Sequence, residues 1–215
     1  MQGPIRGARS FDYVIITVSH QYGAGAISVA THAAELLGYE VVDRQLPVVV
    51  AKRLSITPEE IEAVEDSGRS LGERLLSSLE MSTPEVTAQN FGETIDAAYI
   101  REAQNCVREY AAHGNVIIIG RASGLVLGRR PDVLRTFMHA PREWRIEKIA
   151  SGLNVDEKTA AREVDRMDRA RRAHLRDWYG ADFGNPETYD LAIDTSSFSV
   201  EGSAQIVVAA VRARS

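Results

Sequence analysis

Five short runs rich in branched aliphatic residues, Tyr13–Ser19, Glu40–Asp43, Asn115–Gly120, Val133–His139 and Asp190–Asp194, alternate along the chain with segments of helical periodicity. Runs this short and this continuously apolar read as strands buried on both faces. Strands that alternate with helices build a parallel sheet covered on both sides, so the pattern predicts an α/β architecture. The first unit states it most clearly. Tyr13-Val-Ile-Ile-Thr-Val-Ser19 passes through the small-residue turn Tyr22-Gly-Ala-Gly-Ala26 into a helical pattern from about Ser28 to Leu37. Gly38 stops that helix in the position of a C-terminal glycine. A right-handed crossover then makes the first two strands parallel.

The remaining segments fit around this frame. Residues 1–11 are aperiodic and read as a mobile terminus, and residues 44–113 read as a helical lobe. Within the lobe, Thr57-Pro-Glu-Glu60 is a capping box with proline at the first helical position, and Ser70 with Glu73 repeats the box. Leu71, Leu75, Leu76 and Leu79 supply an apolar stripe, and Phe91–Ala112 reads as a long amphipathic helix. Between Ser55 and Ala103 eleven acids face three bases, which makes the lobe acidic. A helix is expected from about Pro141 to Ser151, ending at Gly152; a longer one, capped by Asn154 with Glu157, runs to about Trp178. A closing helix covers Val200–Val211.

Composition narrows the function classes. A net charge of −5 disfavours general nucleic-acid and anionic-membrane binding. No apolar run approaches the roughly 18 residues of a membrane helix, and the N-terminus lacks a signal-peptide core. The single Cys106 forms no internal disulfide, and the five histidines lack metal-ligand spacing. A cytoplasmic enzyme or binding protein of one domain, 1–215, is the expectation.

Ligands of open parallel sheets bind beyond the carboxyl ends of the strands. Ser19-His-Gln-Tyr-Gly-Ala-Gly-Ala-Ile-Ser28 follows the first strand, Asp43-Arg44 the second, Gly120-Arg121 the third, His139-Ala140 the fourth and Thr195-Ser196-Ser197 the fifth. Glycines and polar groups thus gather on one edge. A phosphate-binding loop needs glycines that let backbone N–H groups turn inward, with a helix N-terminus behind them. Gly23, Ala24, Gly25, Ala26, Ile27 and Ser28 are the candidates, Ser28 being the hydroxyl available to magnesium. The lysine expected of such a loop is Ala26, so a tight strand-to-helix turn packed with small residues is the competing reading.

A second candidate is the run of six arginines Arg162, Arg166, Arg169, Arg171, Arg172 and Arg176, offset in part by Glu163, Asp165 and Asp168. Asp165–Arg169 and Asp168–Arg172 at i,i+4 fit a solvated, ion-paired helix. The like-charge pairs Arg162/Arg166 and Arg172/Arg176 fit an anion nearby, and guanidinium forks suit phosphate oxygens.

Taken together, "SHQYGAGAISVA" (19–30), "GRASGLVL" (120–127), "DRMDRARR" (165–172) and "YDLAIDTSSFSVE" (189–201) resemble the cytidylate kinase-like family, relatives of the P-loop nucleoside monophosphate kinases. The resemblance covers about residues 13–211. It implies a three-layer α/β/α P-loop fold with five parallel strands, a helical insertion at 44–113 and an arginine-rich lid at 154–185. By the same resemblance, Gly23–Ser28 would hold the phosphates of ATP with Mg2+, and Arg121 the acceptor monophosphate; Asp43 and Arg44, after the second strand, are expected beside that acceptor. Arg166, Arg169 and Arg172 would act on the transferring group. The expected activity is ATP-dependent phosphorylation of a CMP-like nucleoside monophosphate or a similar small phosphorylated acceptor. Nucleotides are the expected partners, with a homo-oligomer through the helical lobe as a further expectation. True cytidylate kinases resemble G-x-x-G-x-G-K-G-T and carry an aspartate after G-R; here Ala26 and Ala122 stand instead. The alternative is therefore a catalytically impaired nucleotide-binding or regulatory scaffold on the same fold.

Overall fold

The computed structural model describes residues 14–43, 45–54 and 95–214. Its five strands are β1 (Ile15–His20), β2 (Glu40–Val42), β3 (Val116–Ile119), β4 (Val133–His139) and β5 (Leu191–Asp194). They form one parallel sheet in the order β2-β3-β1-β4-β5. The central β1 pairs with β4 from Ile15↔Val133 to His20↔Met138 and with β3 at Ile16↔Ile117.

The continuous apolar runs follow from burial on both faces. Ile16, Val18, Ile117, Ile119, Leu134 and Met138 pack with α1 (Ala26–Leu37) and α7 (Val200–Arg212). Ile15, Val116, Ile118 and Val133 point the other way. There they meet α2 (Gln45–Leu54), α3 (Ile95–His113) and the short α4 (Ser123–Leu127). Alternate residues of one strand thus serve opposite cores, each full burial contributing about 1.5–3 kcal/mol. This is a three-layer α/β/α P-loop fold.

Two further helices, α5 (Arg142–Leu153) and α6 (Glu157–Tyr179), form a hairpin with its own small core of Ile146, Ala160 and Val164. Tyr22, from the loop after β1, packs into that core. The expected end of α5 at Gly152 is corrected by one turn chemistry. The helix runs through Gly152, and Asn154 takes the left-handed conformation (φ 53°) with its N–H on Ala150 O. Asn tolerates that conformation. Asn154 is therefore the end of α5 and not the N-cap of α6, whose cap is Asp156, accepting from Thr159 N–H.

The i,i+4 pairs expected within α6 are also corrected. Asp165 accepts both donors of the Arg142 fork at 2.9 and 2.8 Å, and Asp168 pairs with Arg145 at 2.8 Å. The two helices lie side by side, so an acid between them meets a guanidinium of the neighbour before one of its own helix. Helix α4 and a 3-10 turn at Pro186–Thr188 carry no periodic signal long enough to read. The 1–11 terminus, Arg44, both capping boxes and the Leu71–Leu79 stripe lie outside the described residues. Of the 44–113 lobe, α2 and α3 are described.

Candidate functional site

The loop between β1 and α1 is pinned to its neighbours by hydrogen bonds. Gln21 N–H donates to Met138 O at 3.0 Å, and the Gln21 carboxamide accepts from Ala140 N–H at 3.2 Å. The buried Thr195 hydroxyl lies 2.8 Å from Ala24 O and 3.1 Å from His139 O, tying the loops after β1, β4 and β5 together. Gly23 (φ 81°) and Gly25 (φ 69°) adopt left-handed conformations that glycine takes without strain. Helix α1 then opens at Gly25 with no side-chain cap. The N–H groups of its first turn, Ala26–Ser28, have no acceptor within the helix, and the helix dipole adds partial positive charge there.

The two glycines serve different ends. A Cβ on Gly23 would lie 3.0 Å from Ile149 Cγ1 and 3.1 Å from Arg145 O, so its smoothness lets α5 close on the loop. A Cβ on Gly25 would meet nothing within 4 Å.

Helix α6 lines the site from above. At about 100° per residue, Ala160, Val164, Asp168, Arg171 and Leu175 share one stripe, the face turned inward. Asp168 is buried against Arg145, and its other oxygen accepts from Tyr22 N–H at 3.0 Å. Arg171 donates to His20 O at 2.8 Å, and its guanidinium lies 5.7 Å from the Tyr22 ring centroid. Burial lowers the Arg171 pKa from its ordinary value, against the raising charges of Asp168 and Asp43. The group stays a cation at working pH, hydrogen-bonded to a carbonyl instead of a carboxylate.

His20 is held well below the usual histidine range by burial and then by Arg171, against a hydrogen bond with the Val18 carbonyl. It is neutral, and its Nδ1 is buried without a hydrogen-bond partner among the described residues. After β3, Gly120, Arg121 and Ala122 take three successive left-handed conformations (φ 72°, 57° and 50°). Each non-glycine member costs about 1–2 kcal/mol. The turn aims Arg121 at α6, where burial first and the Arg121 charge second push His174 down to about 4.

The candidates named from the sequence fall into three groups. Gly23, Ala24, Gly25, Ala26, Ile27 and Ser28 form the loop and first turn of α1, with Ala24 and Ala26 buried and Gly25, Ile27 and Ser28 exposed. Asp43 and Arg121 are half-buried at neighbouring strand ends, Asp43 close enough to Arg171 to raise its pKa. Arg169 and Arg172 are exposed on α6, while Arg166 bonds Glu163 at 2.7 Å. Arg145 was not among the sequence candidates, Asp168 entered only as a charge offsetting the arginine run, and Arg171 stood in that run without being singled out. The available signal was two charged residues, Asp168 and Arg171, standing inside an otherwise apolar helical stripe.

Backbone N–H groups, a helix start and two guanidinium groups gathered at one end of the sheet are donors of the kind that suit phosphate oxygens. Among the described residues, no cluster of three or more His, Cys, Asp or Glu is arranged for a metal ion.

Residues 15–197 match the cytidylate kinase-like family. The chain belongs to that family. Among its relatives, the cytidylate kinase of Methanocaldococcus jannaschii is 34% identical over 106 residues, 48% of this chain and 59% of that protein. The chain thus matches somewhat over half the length of that relative. The cytidylate kinase of Pyrococcus furiosus is 29% identical over 208 residues, covering 92% of this chain and 88% of that one. Among solved structures, a protein from Eubacterium ventriosum superposes with a TM-score of 0.64 at 16% identity, covering 93% of this chain and 98% of that one. Shikimate kinase from Bacteroides thetaiotaomicron gives 0.54 at 15% identity, covering 93% and 98%. This member of the cytidylate kinase-like family has no described helix long and apolar enough to cross a membrane.

Proposed function

We propose that the protein transfers a phosphoryl group from ATP to a small phosphorylated acceptor, a nucleoside monophosphate of the CMP type. The observation that carries this reading is the half-buried Arg171 cation set against the uncapped loop and helix start at Gly23–Ser28, with Arg121 at the next strand end. Phosphoryl transfer requires positioning and charge stabilisation more than covalent chemistry, and this edge is furnished for that. The donor phosphates rest on the N–H groups of Gly25–Ser28, and the acceptor phosphate lies toward Arg121, with Asp43 beside it. Arg171 supplies the cation that Ala26 does not. Arg169 and Arg172, exposed on the same helix, are free to engage a bound donor, and Arg166 joins them by exchanging Glu163 for phosphate.

Magnesium travels with ATP. The residues present fit that arrangement, since Mg2+ is commonly held by substrate phosphates and one or two protein oxygens and Ser28 offers one exposed hydroxyl beside the loop. When bound, the ion neutralises phosphate charge.

Ala26 favours a second reading, a nucleotide-binding scaffold without turnover, because losing one well-placed donor lowers rates by on the order of 10²–10³. Transfer of labelled γ-phosphate to CMP, dCMP, UMP and AMP separates the two. An enzyme labels at least one acceptor, and Arg121→Ala raises that acceptor's KM at least tenfold. ATP binding with no transfer above a Gly25→Val control gives the scaffold reading the lead.

A further inference from the structure

The loop after β1 is gripped from outside the sheet. Tyr22 N–H donates to Asp168 Oδ1 at 3.0 Å, and Tyr22 O accepts from Arg145 Nη1 at 2.9 Å. Those two side chains, one from α6 and one from α5, also bond each other at 2.8 Å, with 5% and 6% of their surfaces exposed. Arg145 Nε donates further to Ala140 O at 3.0 Å, fixing the guanidinium to the end of β4. One turn along α6, Arg171 takes His20 O. Both peptide groups of Tyr22 are therefore oriented by α5 and α6, immediately before the residue where the chain turns left-handed at Gly23. Gly23 itself seats on the backbone and side chain of Arg145.

A buried ion pair is a poor source of stability, because removing two charges from water offsets most of their attraction. Well-packed apolar residues of similar volume commonly replace such a pair without loss. What apolar residues do not replace is directed hydrogen bonding to a specific peptide N–H and C=O.

We propose that Arg145 and Asp168 are positioning residues that hold the loop in its phosphate-accepting shape, making Gly23–Ser28 and helix α6 one rigid unit. The proposal rests on the phosphate-binding reading given above. Its consequence is mechanical. A displacement of α6 that carries Arg171 and Arg172 also re-aims the loop, so donor binding and the seating of the arginine helix are a single event.

The deciding variant is Arg145→Met combined with Asp168→Leu, which fills the space and removes the directed bonds. Amide hydrogen exchange reads the latch without any ligand. Amides of 22–26 exchange at least tenfold faster in the double variant, while those of β1, β3 and β4 are unchanged. ATP affinity, by calorimetry on the same full chain, falls at least tenfold. Unchanged exchange over 22–26 overturns the latch, and so does faster exchange with undiminished ATP affinity. Parent protein that fails to bind ATP refutes the phosphate-binding reading, while the exchange data still judge the latch. If the double variant does not fold, Arg145→Lys keeps the charge pair without the fork that reaches Ala140 O, Tyr22 O and Asp168 together. It must show the same local loosening, and its absence overturns the proposal.

Discussion

Alanine at Gly23 and alanine at Gly25 distinguish a glycine needed by the fold from one needed by a ligand. Both positions have positive φ, 81° and 69°, so each alanine meets left-handed strain of about 1–2 kcal/mol. Only at Gly23 does the new Cβ also collide, 3.0 Å from Ile149 Cγ1, 3.1 Å from Arg145 O and 3.2 Å from Arg145 Cβ. The isoleucine tip yields a little; a helix carbonyl does not, and overpacking of this kind adds about 1–3 kcal/mol. Gly23→Ala therefore loses about 3 kcal/mol and Gly25→Ala about 1. For a chain of this size 1 kcal/mol moves the melting temperature by about 2–4 °C, so the expected falls are about 6–12 °C and about 3 °C. Thermal unfolding followed by circular dichroism without nucleotide measures both. The order reverses for ligand, because the Gly25 Cβ stands in open space where a phosphate would approach. Gly25→Ala suppresses the ATP-induced rise in melting temperature. Equal destabilisation by the two alanines, or a greater loss at Gly25, refutes the division of labour.

Two further outcomes test the site. His174 sits near 4 in the folded chain against an ordinary 6.5, so below about pH 6.5 the unfolded state takes a proton that the folded state refuses; stability falls as pH drops toward 4. The difference between parent and His174→Gln, from urea midpoints at pH 7.5 and pH 5, should shift by about 2 kcal/mol against the parent, and a constant difference removes His174 from its half-buried, cation-facing setting. Arg169→Ala and Arg172→Ala each lower kcat by on the order of 10² with far smaller effects on ATP affinity; unaltered kcat makes them solvated surface.

What the sequence disclosed follows from which residues act locally. Strand limits were readable to within a residue or two because Ile15–Val18 and Val116–Ile119 are buried on both faces and tolerate no polar interruption. Gly38 ended α1 as expected, since a left-handed end is written in a single residue. The partners of Asp165 and Asp168 were not readable, because Arg142 and Arg145 lie 23 positions away and meet them only once α5 and α6 pack together. Arg171 was hidden for a related reason: six arginines in one helix look alike until its inward stripe is known. Asn154 misled because asparagine serves at either end of a helix, and only backbone handedness separates the two uses.

The strand order also governs how the chain comes to be folded during synthesis. β1 lies at the centre of the sheet, yet Ile16 pairs with Ile117 and Ile15 with Val133. About a hundred residues must leave the ribosome before the first strand finds either neighbour, which at roughly 5–20 residues per second is about 5–20 s. Throughout that interval Ile15, Ile16 and Val18 have no sheet to join. The segment that later underlies the whole site is thus the longest-waiting sticky stretch of the nascent chain, the one on which a chaperone has most time to act.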